Sequence, residues 1–201
     1  MLGDLSAQYE SNGDPGCIAD NYGDAGGKSY GMYQFSSNAG TLKEYITWLC
    51  NNSWWFGQEL LKYDLCSEEF DSAWKWLADT NYDDFKRSQH EYIKESFYDP
   101  AIQILADNNW NIENHHDVMK DVVWSRAVQY GVGYIFDMWN EAVNAMGYPN
   151  LSYIDAANFD AELIRKIYLV VCGSTEWNAG PYRASLNQRF TDECRDALDR
   201  L

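Results

Sequence analysis

The stretch YESNGDPGCIADNYGDAGGKSYGMYQF, residues 9–35, sets Glu10, Asp14, Asp20 and Asp24 into a glycine-rich run that closes on aromatics and an amide. Asn12-Gly13-Asp14-Pro15-Gly16 must end any short helix formed over Asp4 to Glu10. Gly23, Gly26 and Gly27 keep the following residues irregular. Ser29 to Ser36 is expected as a short extended piece. The stretch therefore predicts Glu10 at the C-terminal end of a helix, with a flexible acidic loop behind it.

From Gly40 onward the pattern is helical. Phe70, Trp74 and Leu77 recur at helix spacing after Ser67, with Glu68 and Glu69 making an acidic, capped start. Asp83 to Tyr98 reads as an amphipathic helix that stops at Asp99-Pro100, and Ile102 to Ala106 as a further short one. His115 to Gln129 follows, then Val132 to Met146, closed by Gly147 and Pro149. Asp160 to Cys172 carries Leu163, Ile167, Val170 and Val171 on one side and is expected to be the buried central helix. Leu186, Phe190, Cys194, Ala197 and Leu201 line one face of a terminal helix. The expected class is mainly α, with a short irregular or β-containing segment near residues 12–36. It forms a single domain over 1–201 or a tightly merged pair of lobes, shaped as a helical bowl with the carboxylates on its rim.

Composition narrows the function. With 201 residues and 46% hydrophobic content the chain can bury a sizeable core. Nine Trp, 15 Tyr and 8 Phe exceed what that core needs, and flat side chains are what sugar rings stack on. The formal charge of -16 argues against nucleic acid, which requires clustered Lys and Arg. A neutral or cationic polymer suits this surface better. Cys17, Cys50, Cys66, Cys172 and Cys194 are odd in number and lack paired spacing, so free thiols are expected rather than a disulfide framework or a metal site. No signal peptide opens the chain and no apolar run is long enough to span a membrane.

A carboxylate-rich rim can cleave a glycosidic bond if one carboxyl is protonated and a second orients water or stabilises the oxocarbenium ion. Glu10 at a helix C-terminus, desolvated by aromatics, would have a raised pKa and serve as the acid. Asp24 on its glycine-rich loop would stay ionised. Ordinary turn chemistry explains the same aspartates, since Asp and Gly dominate turns for local hydrogen-bonding reasons. A calcium loop is disfavoured, because the D-x-[DN]-x-[DN]-G order is absent.

"YESNGDPG" (9–16) followed by "SYGMYQF" (29–35) resembles the opening of lysozyme-like peptidoglycan hydrolases: goose-type lysozymes, lytic transglycosylases and phage lysins. "DAGGKSYGMYQF" (24–35) is faintly similar to chitosanases. "VVWSRAVQYGVG" (122–133) resembles a Trp-Ser-x-Ala-Val-Gln-His-Gly segment of wall hydrolases, with Tyr130 in place of His. "EWNAGP" (176–181) resembles a Tyr-Asn-Ala-Gly segment of lytic transglycosylases, with Trp177 in place of Tyr. The resemblance leaves about Trp48 to Lys120 unmatched. It implies Glu10 as general acid and Asp24 as base, with Asp20 as the substitute. It further implies substrate contacts at Ser29, Tyr30, Tyr33, Gln34, Trp124, Gln129, Tyr130 and Asn178. The implied activity is that of a muramidase, an endolysin-like enzyme cutting the glycan strand beside N-acetylmuramic acid. Alternatives are a lytic transglycosylase, a chitosanase-like hydrolase of deacetylated glycan, or a non-catalytic phage tail or wall-binding protein.

The expected partner is peptidoglycan or a related amino-sugar polymer, met by a monomer that needs no cofactor and no metal. The expected location is the cytosol before action on the cell wall, or a phage particle. Trp54-Trp55-Phe56, Trp74, Trp76 and Trp110 are expected in the core. His90, His115 and His116 show no zinc spacing and are expected to be solvated or helix-starting. Ser11 lacks the turn of a nucleophile.

Overall fold

The computed structural model describes residues 2, 3, 5, 13–20, 27–174, 177, 178 and 183–201. Its contacts divide the chain into a hairpin unit, residues 7–94, and a helical unit, residues 1–6 and 95–201. The fold is mainly α, as expected, with three short strands among the described residues.

In the hairpin unit, β1 (Ile18–Ala19), β2 (Ser29–Tyr30) and β3 (Phe35–Ser36) form an antiparallel sheet in chain order. Ile18 pairs with Tyr30, and Tyr30 with Phe35. The expected extended piece is thus two strands joined by a turn over residues 31–34. Gly31 takes φ +75 there, and a Cβ at this position would run into the Gln89 amide. That amide is committed: it accepts from Met32 N at 2.9 Å and donates to Pro15 O at 3.0 Å. Four helices follow: α1 (Thr41–Asn51), α2 (Trp55–Leu60), α3 (Glu68–Thr80) and α4 (Tyr82–Ile93). Ser67 caps α3 as its sequence predicts, its hydroxyl accepting from Phe70 N at 3.1 Å. The interior is aromatic: Phe35 stacks on Tyr45 at 4.6 Å between centroids, and Trp74 meets Phe85 edge-on at 4.9 Å.

Lys94–Tyr98 winds as a π-helical turn, and α5 (Asp99–Asp107) begins directly after it. Pro100 lies in the first turn of α5, where a missing N–H costs no hydrogen bond. The expected stop at Asp99-Pro100 is therefore a helix start.

The helical unit continues with α6 (Asp117–Tyr130), α7 (Ile135–Ala145), α8 (Asp160–Gly173) and α9 (Arg183–Leu198). The central helix is α6 and not α8: Val122 through Ala127 are all buried, whereas α8 leaves Leu169 62% exposed. The sequence reads this helix, as His115 to Gln129, but periodicity does not show that it is central, because from Val122 to Ala127 it is buried on every side and has no polar stripe to contrast with an apolar one. Close packing around it reaches Gly3, whose N–H donates to Asp121 Oδ1 at 2.7 Å and where a Cβ would lie 2.9 Å from the Trp124 indole. Among the tryptophans, Trp74 and Trp110 lie in the core as expected, but Trp55 and Trp76 are each 47% exposed.

Candidate functional site

Glu10 and Asp24, the expected acid and base, lie outside the described residues, and of the helix expected over Asp4 to Glu10 only Leu5 is described, helical and buried. Asp20 is described; it is exposed just beyond β1, 3.9 Å from the Lys28 ammonium. The sheet organises what surrounds it. Lys28, one residue before β2, donates to Asp71 Oδ2 at 2.7 Å and to Cys66 O at 3.2 Å. The other Asp71 oxygen accepts from the Tyr30 hydroxyl at 2.6 Å. The hydrogen bond to Asp71 raises the Lys28 pKa above its ordinary value, so this ammonium stays charged beside Asp20. Burial, then the bond to Asp71, raises the Tyr30 hydroxyl well above the ordinary phenol range, which leaves it a donor.

The residues expected to contact substrate in this unit fall into two groups. Tyr30 is fully buried and Tyr33 is 6% exposed, its hydroxyl 3.1 Å from His90 Nδ1. Both rings serve the interior. Ser29 and Gln34 are half-buried on the hairpin. Gln34 sits at φ 53, an uncommon conformation for a residue with a Cβ, and its amide closes the turn by donating to Gly31 O at 2.9 Å. Lys28, Asp71 and His90, which hold this arrangement, carry no motif. Their only signal in the sequence is a basic residue next to a β-strand and acids on a helix far along the chain.

In the helical unit Trp124 is fully buried, while Gln129 and Tyr130 are half-buried at the last turn of α6. Trp177 donates from Nε1 to Glu141 Oε2 at 3.0 Å and packs edge-on against Tyr130 and Tyr134. Asn178 is 1% exposed and donates to Asn187 Oδ1 at 2.5 Å. Among the described residues the Tyr130 hydroxyl and Asn178 Oδ1 have no hydrogen-bond partner.

The carboxylate that gathers most bonds here is one the motifs pass over: Glu193 Oε2 accepts at 2.5 Å from Nη2 of Arg126, which lies within the matched segment and is fully buried, while Arg126 Nε and Nη1 have no hydrogen-bond partner among the described residues. Ser125 and Tyr168 donate to the same oxygen, and Arg189 Nε donates to Oε1 at 2.9 Å. The Arg126 guanidinium lies 4.5 Å from the Phe190 ring centroid and 5.0 Å from that of Tyr168. This cluster keeps α6, α8 and α9 together.

A second buried network forms around Asp160. His115 stacks on Trp110 and its Nδ1 lies 2.6 Å from Asp160 Oδ1. The backbone N–H of His116 donates to Asp160 Oδ2 at 2.8 Å. Burial alone would raise the Asp160 pKa, but the bonds from His115 and His116 outweigh it and the carboxyl is held below its ordinary value. The expectation of a solvated His115 is corrected by this burial, whereas His116 does start α6 as its N-cap residue. The five cysteines are free, and no cluster of metal-ligating side chains occurs among the described residues. Among those residues no helix is long and apolar enough to cross a membrane.

Comparison with known proteins corrects the resemblance. Residues 2–168 match the family model of the type VI secretion system spike protein VgrG3-like C-terminal domain. The type VI secretion system spike protein VgrG3 of Vibrio cholerae serotype O1 is 36% identical over 131 residues, 65% of this chain and 12% of that protein. The chain thus matches only a small part of that relative's length. These findings point to a secretion spike's C-terminal domain and away from the lysozyme-like hydrolases named above, so the expectations of a muramidase and a phage endolysin are withdrawn. The motifs misled because short Gly-, Asn- and aromatic-rich turns answer local backbone needs that unrelated proteins share.

Proposed function

Because the chain belongs to the VgrG3-like C-terminal family of type VI secretion spike proteins, we propose that it is a domain carried by such a spike and brought by it to an amino-sugar polymer. The family match over residues 2–168 carries this reading. The exposed aromatics supply the reason for a glycan partner, and the surplus of acidic residues favours a neutral or cationic amino-sugar polymer over a polyanion. The secretion complex is the other partner. Deleting the domain from its spike and following both spike release and sedimentation with insoluble glycan tests the proposal. Spike release that persists with loss of glycan binding is expected. Glycan binding that is unchanged without the domain would refute the glycan assignment.

A glycosidase is the finer form of this reading, favoured by the carboxylates Glu10, Asp14, Asp20 and Asp24 within one glycine-rich stretch. In it Glu10 protonates the glycosidic oxygen, and Asp24 or Asp20 orients the water. Glu10→Gln keeps size and polarity and removes the transferable proton. Reducing ends released by the wild type and not by Glu10→Gln support the enzyme. Binding without release by either makes the domain a binding module.

A further inference from the structure

A cleft of about 600 Å³ opens in the hairpin unit, lined by Glu59, Tyr63, Glu68, Glu69, Ser72 and Trp76. Glu59 comes from α2 and Tyr63 from the turn beyond it. Glu68, Glu69, Ser72 and Trp76 recur at helix spacing along one face of α3. Because α3 turns Phe70, Trp74 and Leu77 into the core, its next face must point outward, and Trp76 is 47% exposed there. The equally exposed Trp55 meets it edge-on, 6.1 Å between centroids.

Two features at this cleft have separate causes. Acidic residues in the first turn of α3 complement the helix dipole, which accounts for Glu68 and Glu69. The dipole requires neither an indole two turns later nor Glu59 from another helix. Glu59 pairs with Lys62, whose side chain is 59% exposed, but no ion pair reaches Glu68 or Glu69 among the described residues. The cleft therefore joins an exposed aromatic wall to uncompensated negative charge, in a volume suited to a small ligand.

We propose that this cleft binds a protonated amino sugar, a glucosamine unit of a partly deacetylated glycan; the assignment rests on the glycan partner proposed above. The apolar face of the pyranose ring lies on Trp76, and the ammonium is held by Glu68 and Glu69. A neutral N-acetylated sugar has the ring face without the charge, and a lysine side chain has the charge without the ring face.

The test is calorimetric titration in a Glu10→Gln background, which removes the proposed proton donor. A glucosamine tetramer, an N-acetylglucosamine tetramer and tetralysine are titrated into that protein, into added Trp76→Ala, and into added Glu68→Gln with Glu69→Gln. Circular dichroism confirms that each variant is folded. The glucosamine tetramer is expected to bind tightest, Trp76→Ala to weaken it about tenfold, and the double glutamine variant to abolish its advantage over the acetylated tetramer. Tetramer binding that neither variant changes would overturn the cleft while leaving the glycan partner standing. Binding of neither tetramer would overturn both. Tetralysine binding as tight as the glucosamine tetramer would make this a general cation site and overturn the sugar assignment.

Discussion

Among the described residues between 7 and 94 the buried side chains are uncharged: rings (Tyr45, Phe56, Phe70, Trp74, Phe85), aliphatic chains (Leu42, Leu49, Leu60, Leu77) and the neutral polar Ser88 and Gln89. In the helical unit rings of the same kind enclose charge, for Arg126, Asp160 and Glu193 are all fully buried there. The difference lies in what each interior tolerates. A ring core loses stability in proportion to the volume removed, whereas a charged core depends on every partner being present. Its specificity comes from distance in sequence, since Arg126 and Glu193 stand 67 residues apart.

Removing one partner should break the helical unit most. Glu193→Ala leaves the Arg126 guanidinium buried without its carboxylate and is expected to cost about 3–5 kcal/mol in urea unfolding. Replacing both residues by apolar side chains of similar volume should recover only part of that loss, since Ser125 and Tyr168 still lose their acceptor. A single variant as stable as the wild type would show that water reaches this charge.

Trp74→Ala is the matching cut in the hairpin unit. The indole is fully buried and donates to Pro15 O at 2.9 Å, so about 3–5 kcal/mol is expected, with little dependence on pH.

Asp160→Asn should cost less, about 2–3 kcal/mol, through weakened bonds to His115 and His116. Because the folded carboxyl titrates below its ordinary value, the stability it supplies is present above the ordinary carboxylate range and is lost as pH falls through the folded pKa. Thermal melts should therefore show the gap between wild type and variant narrowing in acid. A gap that widens in acid would contradict the assigned direction.

The smallest effect should come from Ser67→Ala, which removes one cap bond at α3 for about 1 kcal/mol, measured in the same unfolding experiments.

Helices were legible in the sequence wherever one face stayed wet. The α3 start at Ser67, the apolar face of α8 and the terminal helix α9 follow from spacing and capping, which depend on neighbours within a turn or two. The hairpin was half legible: its glycines announced a turn, but the pairing of Tyr30 with Phe35 awaited the sheet. The candidate site was legible as a stretch of carboxylates and not as a geometry. Lys28, Asp71 and His90 reach it from separate elements, and no local pattern joins them.

What the sequence alone determined is the mainly helical class, the capped start of α3, and an acidic, aromatic-rich character. Tertiary structure decided that α6 is central, that Arg126 is buried, and that Trp74 turns inward while Trp76 faces solvent. The reason is physical. Local hydrogen bonds and helical period are set within a few residues, but the cost of burying a charge or exposing an indole depends on partners that only the folded chain brings within reach.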